Sequence, residues 1–206
     1  MKKDNLVSAL DPSEHGDFSS SIINTIKKAM IGIDGMLPAS IVSYSKVTNT
    51  ATVKIMIDMM TTDGGTLARP ILYNIPVYRY GGGGFFIGID LKEGDNGWLK
   101  ANDRDITGFL GTLSQSKPSS MRVKNFSDAV FFPDTISTGS MGDGVISLQS
   151  LDGSTAFAIA ENSIKFKVGG TVMEITPNGV AITTPSVKHN EIEIGATHTN
   201  GGMPIP

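Results

Sequence analysis

Apolar residues recur along this chain with two different periods. Between residues 18 and 33, Ile22, Ile26, Met30 and Ile33 return at three- and four-residue steps, with Ile23 and Ala29 beside them. On a wheel of ~100° per residue they fall within about 120° of arc, while Asn24, Lys27 and Lys28 lie on the other side, which predicts an amphipathic helix. Ser19, Ser20 and Ser21 offer N-caps, and Gly32 and Gly35 interrupt the pattern. A helix of ~14 residues is marginal alone in water, so this arm, residues 1–36, packs on its own domain or on a partner chain.

From residue 37 to 135 the chain reads as β. Ile41 to Val47 leads to the turn residue Asn49, and Thr52 to Ile57 follows, rich in β-branched side chains. Ile71 to Tyr80 is a further strand pattern, with Pro70 and Pro76 marking an edge or a bulge. Gly81 to Gly84 is a hairpin tip before Phe85–Ile89, and Gly94 to Gly97 turns into Trp98-Leu99-Lys100-Ala101. Five or six short strands spaced this way predict a small closed barrel or sandwich.

From 136 onward the character changes. That stretch holds ten glycines, two phenylalanines and neither Trp nor Tyr. Short segments alternate apolar and polar: Val145–Leu148, Ile164–Val168, Val172–Ile175, Val180–Thr183 and Glu191–Ile194, with turns at Asp152-Gly153, Gly169-Gly170, Asn178-Gly179 and Asn190. Asn-Gly suits a tight turn at positive φ. About 70 residues with so few large side chains cannot build a monomeric core. Their single apolar stripe is buried only against copies of itself, in intertwined chains or a β-solenoid. Residues 136–196 therefore read as an oligomeric needle, and 197–206 as its tip.

Composition narrows the function. Hydrophobic residues make up 39% of the 206 and charged residues 18%, enough apolar material to exclude full disorder. A net charge of -3 and a pI near 5.6 argue against a nucleic-acid partner. The absence of cysteine removes thiolate metal sites and Cys nucleophiles. No apolar run approaches the ~18 residues of a membrane span. The start also lacks the apolar stretch of a signal peptide, so synthesis in the cytoplasm is expected.

Catalytic motifs fail on spacing. The Gly81–Gly84 run has Phe86 and Ile87 where a dinucleotide fingerprint needs glycine, and no Gly-Lys-Ser/Thr follows. Asp90, Glu93, Asp95, Asp103 and Asp105 do not form a calcium loop, and no Gly-x-Ser-x-Gly elbow is present. We expect no enzyme. The histidines are His15, His189 and His198. His198 and Asn200 are two apart and face one side of an extended strand. In a trimer, three inward imidazoles at His198 make a plausible metal set, whereas Lys188-His189-Asn190 reads as a surface turn.

The ordered set of weak motifs resembles the membrane-puncturing central spikes of contractile phage tails, similar to the phi92 spike family. The matching pieces are Leu37-Pro38-Ala39 into Ile41–Tyr44, Pro70–Val77, Gly81–Gly84 with Phe85-Phe86, Leu91–Leu99, Asp103–Ile106 and Phe126–Pro133. The resemblance implies a homotrimer in the virion, at the tip of the tail baseplate. An oligonucleotide/oligosaccharide-binding (OB) barrel over 37–135 would form a collar. An intertwined triple-stranded β-helix over 136–196 would form the needle, and the N-terminal arm would face the tail hub. Contraction would drive this needle through the host outer membrane. Similar spikes carry a His-x-His that binds iron on the trimer axis, and here the pair is His198-Thr199-Asn200. Iron at His198 and Asn200 is thus what the resemblance implies, with a weaker second donor. Two other classes stay open: an OB module binding nucleic acid or oligosaccharide through Trp98, Phe85, Phe86 and Tyr80, and a small tail hydrolase using paired carboxylates.

Overall fold

The computed structural model describes residues 18–31, 33–61, 64–136, 142, 144–189, 192–193, 199–200 and 203–204. The chain is mainly β and divides into two compact units, Met1–Ile136 and Ser137–Pro206.

The first unit opens with α1, Phe18–Ile31, which carries the 3.6-residue stripe. The helix begins before the serines, so Ser19, Ser20 and Ser21 occupy its first turn instead of capping it. Nine strands follow: β1 Met36–Ser45, β2 Thr50–Ile55, β3 Met59–Met60, β4 Thr66–Leu67, β5 Leu72–Pro76, β6 Gly81–Gly82, β7 Phe85–Phe86, β8 Asn96–Asn102 and β9 Asn125–Pro133. The main sheet runs β5-β2-β1-β8-β9, all antiparallel. A parallel bridge from Val77 to Phe131 brings the chain after β5 back to β9, and Tyr78 N–H donates to Phe131 O at 2.8 Å. The sheet is thereby a nearly closed barrel.

Its interior is the apolar half of each alternating strand. Phe131, Ile41, Ile75, Leu99 and Val53 are its largest fully buried side chains, each contributing about 1.5–3 kcal/mol by burial. Asn49 ties the ends together. It sits at φ 53° in the β1–β2 turn, its Nδ2 donates to Val77 O at 2.6 Å, and its carbonyl accepts from Val77 N–H at 3.0 Å. The expected irregularity near Pro70 and Pro76 is present as a register shift between Ala51 and Val53, opposite β5. Gly97, in the main sheet, is a strand position that tolerates no side chain. A Cβ there would run into the Phe132 carbonyl and lie 2.6 Å from Cζ of Phe131. The Gly81–Gly84 tip forms as expected, with Gly83 and Gly84 both at positive φ between β6 and β7.

The stretch between β8 and β9 holds a helix that the apolar pattern did not predict, α2, Thr107–Thr112. Two glycines in six residues and a Leu113 at φ 51° leave no amphipathic stripe to detect.

The second unit is a five-stranded antiparallel meander: β10 Ile146–Gln149, β11 Thr155–Ala160, β12 Ser163–Val168, β13 Thr171–Thr176 and β14 Gly179–Thr183. Its strands are short and consecutive strands pair with each other within the chain, so the turns at Asp152-Gly153, Gly169-Gly170 and Asn178-Gly179 each reverse it. Strand β11 was not predicted, because Ala156, Ala158 and Ala160 supply no polar stripe. Two short hairpins close the chain, β15 Lys188–His189 with β16 Ile192–Glu193, and β17 Thr199–Asn200 with β18 Met203–Pro204.

Candidate functional site

Directly paired residues of antiparallel strands point to the same face, so the register of the meander sorts every side chain. One line across the five strands is Leu148, Phe157, Phe166, Met173 and Ile182. The neighbouring line is Ile146, Ile159, Ile164, Ile175 and Val180. The opposite face carries Ser147, Ala158, Lys165, Glu174 and Ala181, and beside them Gln149, Ala156, Lys167, Val172 and Thr183. Two adjacent rows of large apolar residues thus cover one side, and small or polar residues the other.

Burial in the single chain runs the wrong way round for a soluble sheet. Along β12 the half-buried positions are Ser163, Lys165 and Lys167, while Ile164, Phe166 and Val168 are exposed. Phe166 is 46% exposed and Ile182 53%. Phe157 and Phe166 stack at 4.9 Å between ring centroids. On the polar face, Lys165 Nζ lies 3.7 Å from Glu174 Oε1. A contiguous apolar face of this size marks an interaction surface, and its small-polar reverse suits solvent.

Turns hold the strands in this register. Asp152 Oδ1 accepts hydrogen bonds from Ser150 Oγ at 2.6 Å, Ser154 N–H at 3.0 Å and Ser154 Oγ at 2.9 Å. These bonds, the Ser150 hydroxyl first, hold its carboxyl down at about 2.

His198, the first tip residue expected from the sequence, lies outside the described residues. Asn200 lies in β17, opposite Met203 of β18. His189 pairs with Ile192 across β15 and β16, so it stands in a strand.

The barrel holds a polar cluster that periodicity did not reveal. Asp105 and Asp128 are buried, and Arg122 lies between them. Arg122 Nη2 is 3.0 Å from Asp105 Oδ2 and 2.9 Å from Asp128 Oδ1, and its Nε donates to Asp128 Oδ2 at 3.0 Å. Asp105 also accepts from Thr107 Oγ1 at 2.6 Å, Thr107 N–H at 3.0 Å and Ser120 Oγ at 2.7 Å. The Thr107 hydroxyl leads the set that lowers the Asp105 carboxyl to about 2. The two bonds that Arg122 donates to Asp128 lead the causes that raise its guanidinium above the usual value. This cluster fastens both ends of the α2 excursion to the barrel. The local signal for it was Asp105-x-Thr107, an Asx turn.

The other expected acidic residues are spread out. Asp90 pairs with Lys46, and Asp95 accepts from Lys92 N–H at 2.8 Å. Among the described residues no three His, Cys, Asp or Glu side chains gather as a metal set. The aromatic residues considered for a ligand face belong to different elements. Trp98 sits in the main sheet, its Nε1 donating to Asp134 at 2.7 Å, whereas Phe85 and Phe86 form the β6–β7 hairpin with Arg79 over the Phe86 ring.

Residues 37–134 match the family model described as the phage protein Gp138 N-terminal domain. The matched segment is the barrel, and the match supports a phage structural protein. Such a domain suggests a virion component. No helix among the described residues is long and apolar enough to cross a membrane. No curated protein matches the chain.

Proposed function

We propose that the protein is the central spike at the tip of a contractile phage tail, working as a homotrimer that punctures the host outer membrane. The observation that carries this is the inverted burial of the meander. Eight of its apolar side chains, Ile146, Leu148, Ile164, Phe166, Val168, Met173, Val180 and Ile182, face solvent in one chain. Three such faces turned to one axis bury all of them, and the Lys165–Glu174 side faces out. Strand pairing within each chain supports a needle in which three meanders meet face to face, the form in which we carry forward the intertwined β-helix. The OB-type barrel serves as collar, docked on hub and baseplate proteins, and the outer membrane is a transient partner.

The mechanism is mechanical and requires no active site. A puncturing needle must not unfold under axial load, and forced unfolding is governed by the unfolding rate. Burying three copies of each apolar layer away from water raises that barrier.

At the tip, His198 and Asn200 from three chains would hold an iron ion. Neutral imidazole and an amide oxygen are both acceptable donors to a first-row divalent metal, and the amide is the weaker. The ion would clamp chain ends where fraying starts.

One preparation tests both statements. Light scattering on protein purified without a His tag should give three times the 21.8 kDa chain mass. Elemental analysis should give about one ion per three chains, lost in His198→Ala and kept in His189→Ala. A monomer mass with a cooperative melt would sink the spike reading. A trimer without stoichiometric metal would remove the ion alone.

A further inference from the structure

The apolar stripe of α1 is exposed from end to end. Ile22, Ile23, Ile26, Met30 and Ile33 are each 44–64% accessible, although the first unit has a complete core without them. The root of the helix is nevertheless fixed to the barrel. Ile33 N–H donates to Met30 O at 3.0 Å. Asp34 accepts from Arg69 at 2.5 Å, and Gly35 O accepts from Ala101 N–H at 3.0 Å.

From Ile22 the stripe steps by four, three and four residues through Ile26 and Ala29 to Ile33. That is the d-a-d-a spacing of a heptad seam. Ile23 and Met30 then fall at e, and Phe18 and Thr25 at g, so the positions facing a neighbouring helix carry no charge. Lys27 falls at b, away from the seam. Parallel copies in register would therefore meet without like-charge contacts. Isoleucine at a (Ile26) and d (Ile22) favours three or four strands over two, with the smaller Ala29 at the second d, and the wide a/d/e stripe needs more than one neighbour to cover it.

We propose that three copies of α1 pack as a short parallel coiled coil at the collar end of the protein. The inference rests on the trimer reading. Two heptads are marginal for free helices, and assembly of the rest of the chain supplies the effective concentration that makes the contact intramolecular. The seam's occupant is then the same segment of two further copies of this chain, not a hub protein.

The absence of native cysteine makes the test clean. Full-length Ala29→Cys, treated with a short bismaleimide, should give cross-linked pairs from about two of every three chains, because three facing seam residues contain one linkable pair and one left over. Lys27→Cys, on the outer side, should stay uncross-linked. Light scattering of both variants gives the oligomeric state independently. A trimer in which Ala29→Cys stays uncross-linked, or links no better than Lys27→Cys, overturns the coiled coil and leaves the spike reading standing; it would assign the stripe to another protein. A monomer mass overturns both.

Discussion

Phe166→Asp is expected to abolish assembly, leaving monomers or aggregate, while Lys165→Asp still forms trimers. The two residues are neighbours in β12 and point to opposite faces, Phe166 in line with Phe157 and Met173, Lys165 opposite Glu174. In the proposed trimer Phe166 closes onto the axis. Loss of a buried aromatic side chain alone costs about 3–5 kcal/mol, and three carboxylates in one dry layer add an uncompensated charge penalty. Summed over three chains, this exceeds the ~5–15 kcal/mol that ordinarily separates folded from unfolded states. Lys165→Asp, by contrast, sets two carboxylates opposite each other on the solvent face, a cost of roughly 0.2–1 kcal/mol. The trimer survives that. Sedimentation of both variants decides the matter. Equal assembly would mean that Phe166 does not face the axis and that the apolar face is not the trimer core.

The register of this face was legible in the sequence because Ile164-Lys165-Phe166-Lys167-Val168 alternates strictly and Gly169-Gly170 and Asn178-Gly179 can only be turns. The same logic missed β11. Thr155-Ala156-Phe157-Ala158-Ile159-Ala160 alternates large with small instead of apolar with polar, and Ala158 is the one buried apolar residue of the meander. The barrel was legible as a count of strands but not as a closure. What closes it is Val77 meeting Phe131 and Asn49 reaching Val77, contacts between residues 54 and 28 positions apart. Local periodicity carries no information at that range. Arg122 was invisible for the same reason, since its partner Asp105 lies 17 positions away. His198 and the side chain of Asn200 fall outside the described residues, so the tip rests on residue chemistry and resemblance.

The Arg122 cluster sets the second large expectation, and it separates two roles that one cation could be thought to play. Arg122 is the bond between the ends of the α2 excursion, so Arg122→Ala leaves buried Asp105 and Asp128 with no cation between them. An uncompensated buried charge is strongly destabilising. At pH 7 the variant should melt well below wild type, and far below Lys46→Ala, which removes only the exposed pair with Asp90. Acid behaviour should follow other residues. The Asp105 carboxyl is lowered from 3.8 to about 2, first by the Thr107 hydroxyl, then by Thr107 N–H and Ser120, and least by Arg122. A depressed carboxyl adds stability that is complete above its unfolded value and is lost as pH falls through the folded one. The barrel should therefore weaken between about pH 4 and pH 2. Thr107→Val brings the folded carboxyl back toward its unfolded value, so its curve should lie lower at neutral pH and lose less between about pH 4 and pH 2, while Arg122→Ala should lower the curve at neutral pH and change that acid loss less. Trp98, the single tryptophan, lies in the strand paired with β9, where Asp128 sits, and its fluorescence reports barrel unfolding apart from the needle. If Arg122→Ala shifted the acid limb more than Thr107→Val, the guanidinium and not the hydroxyl would be the main partner of the Asp105 charge.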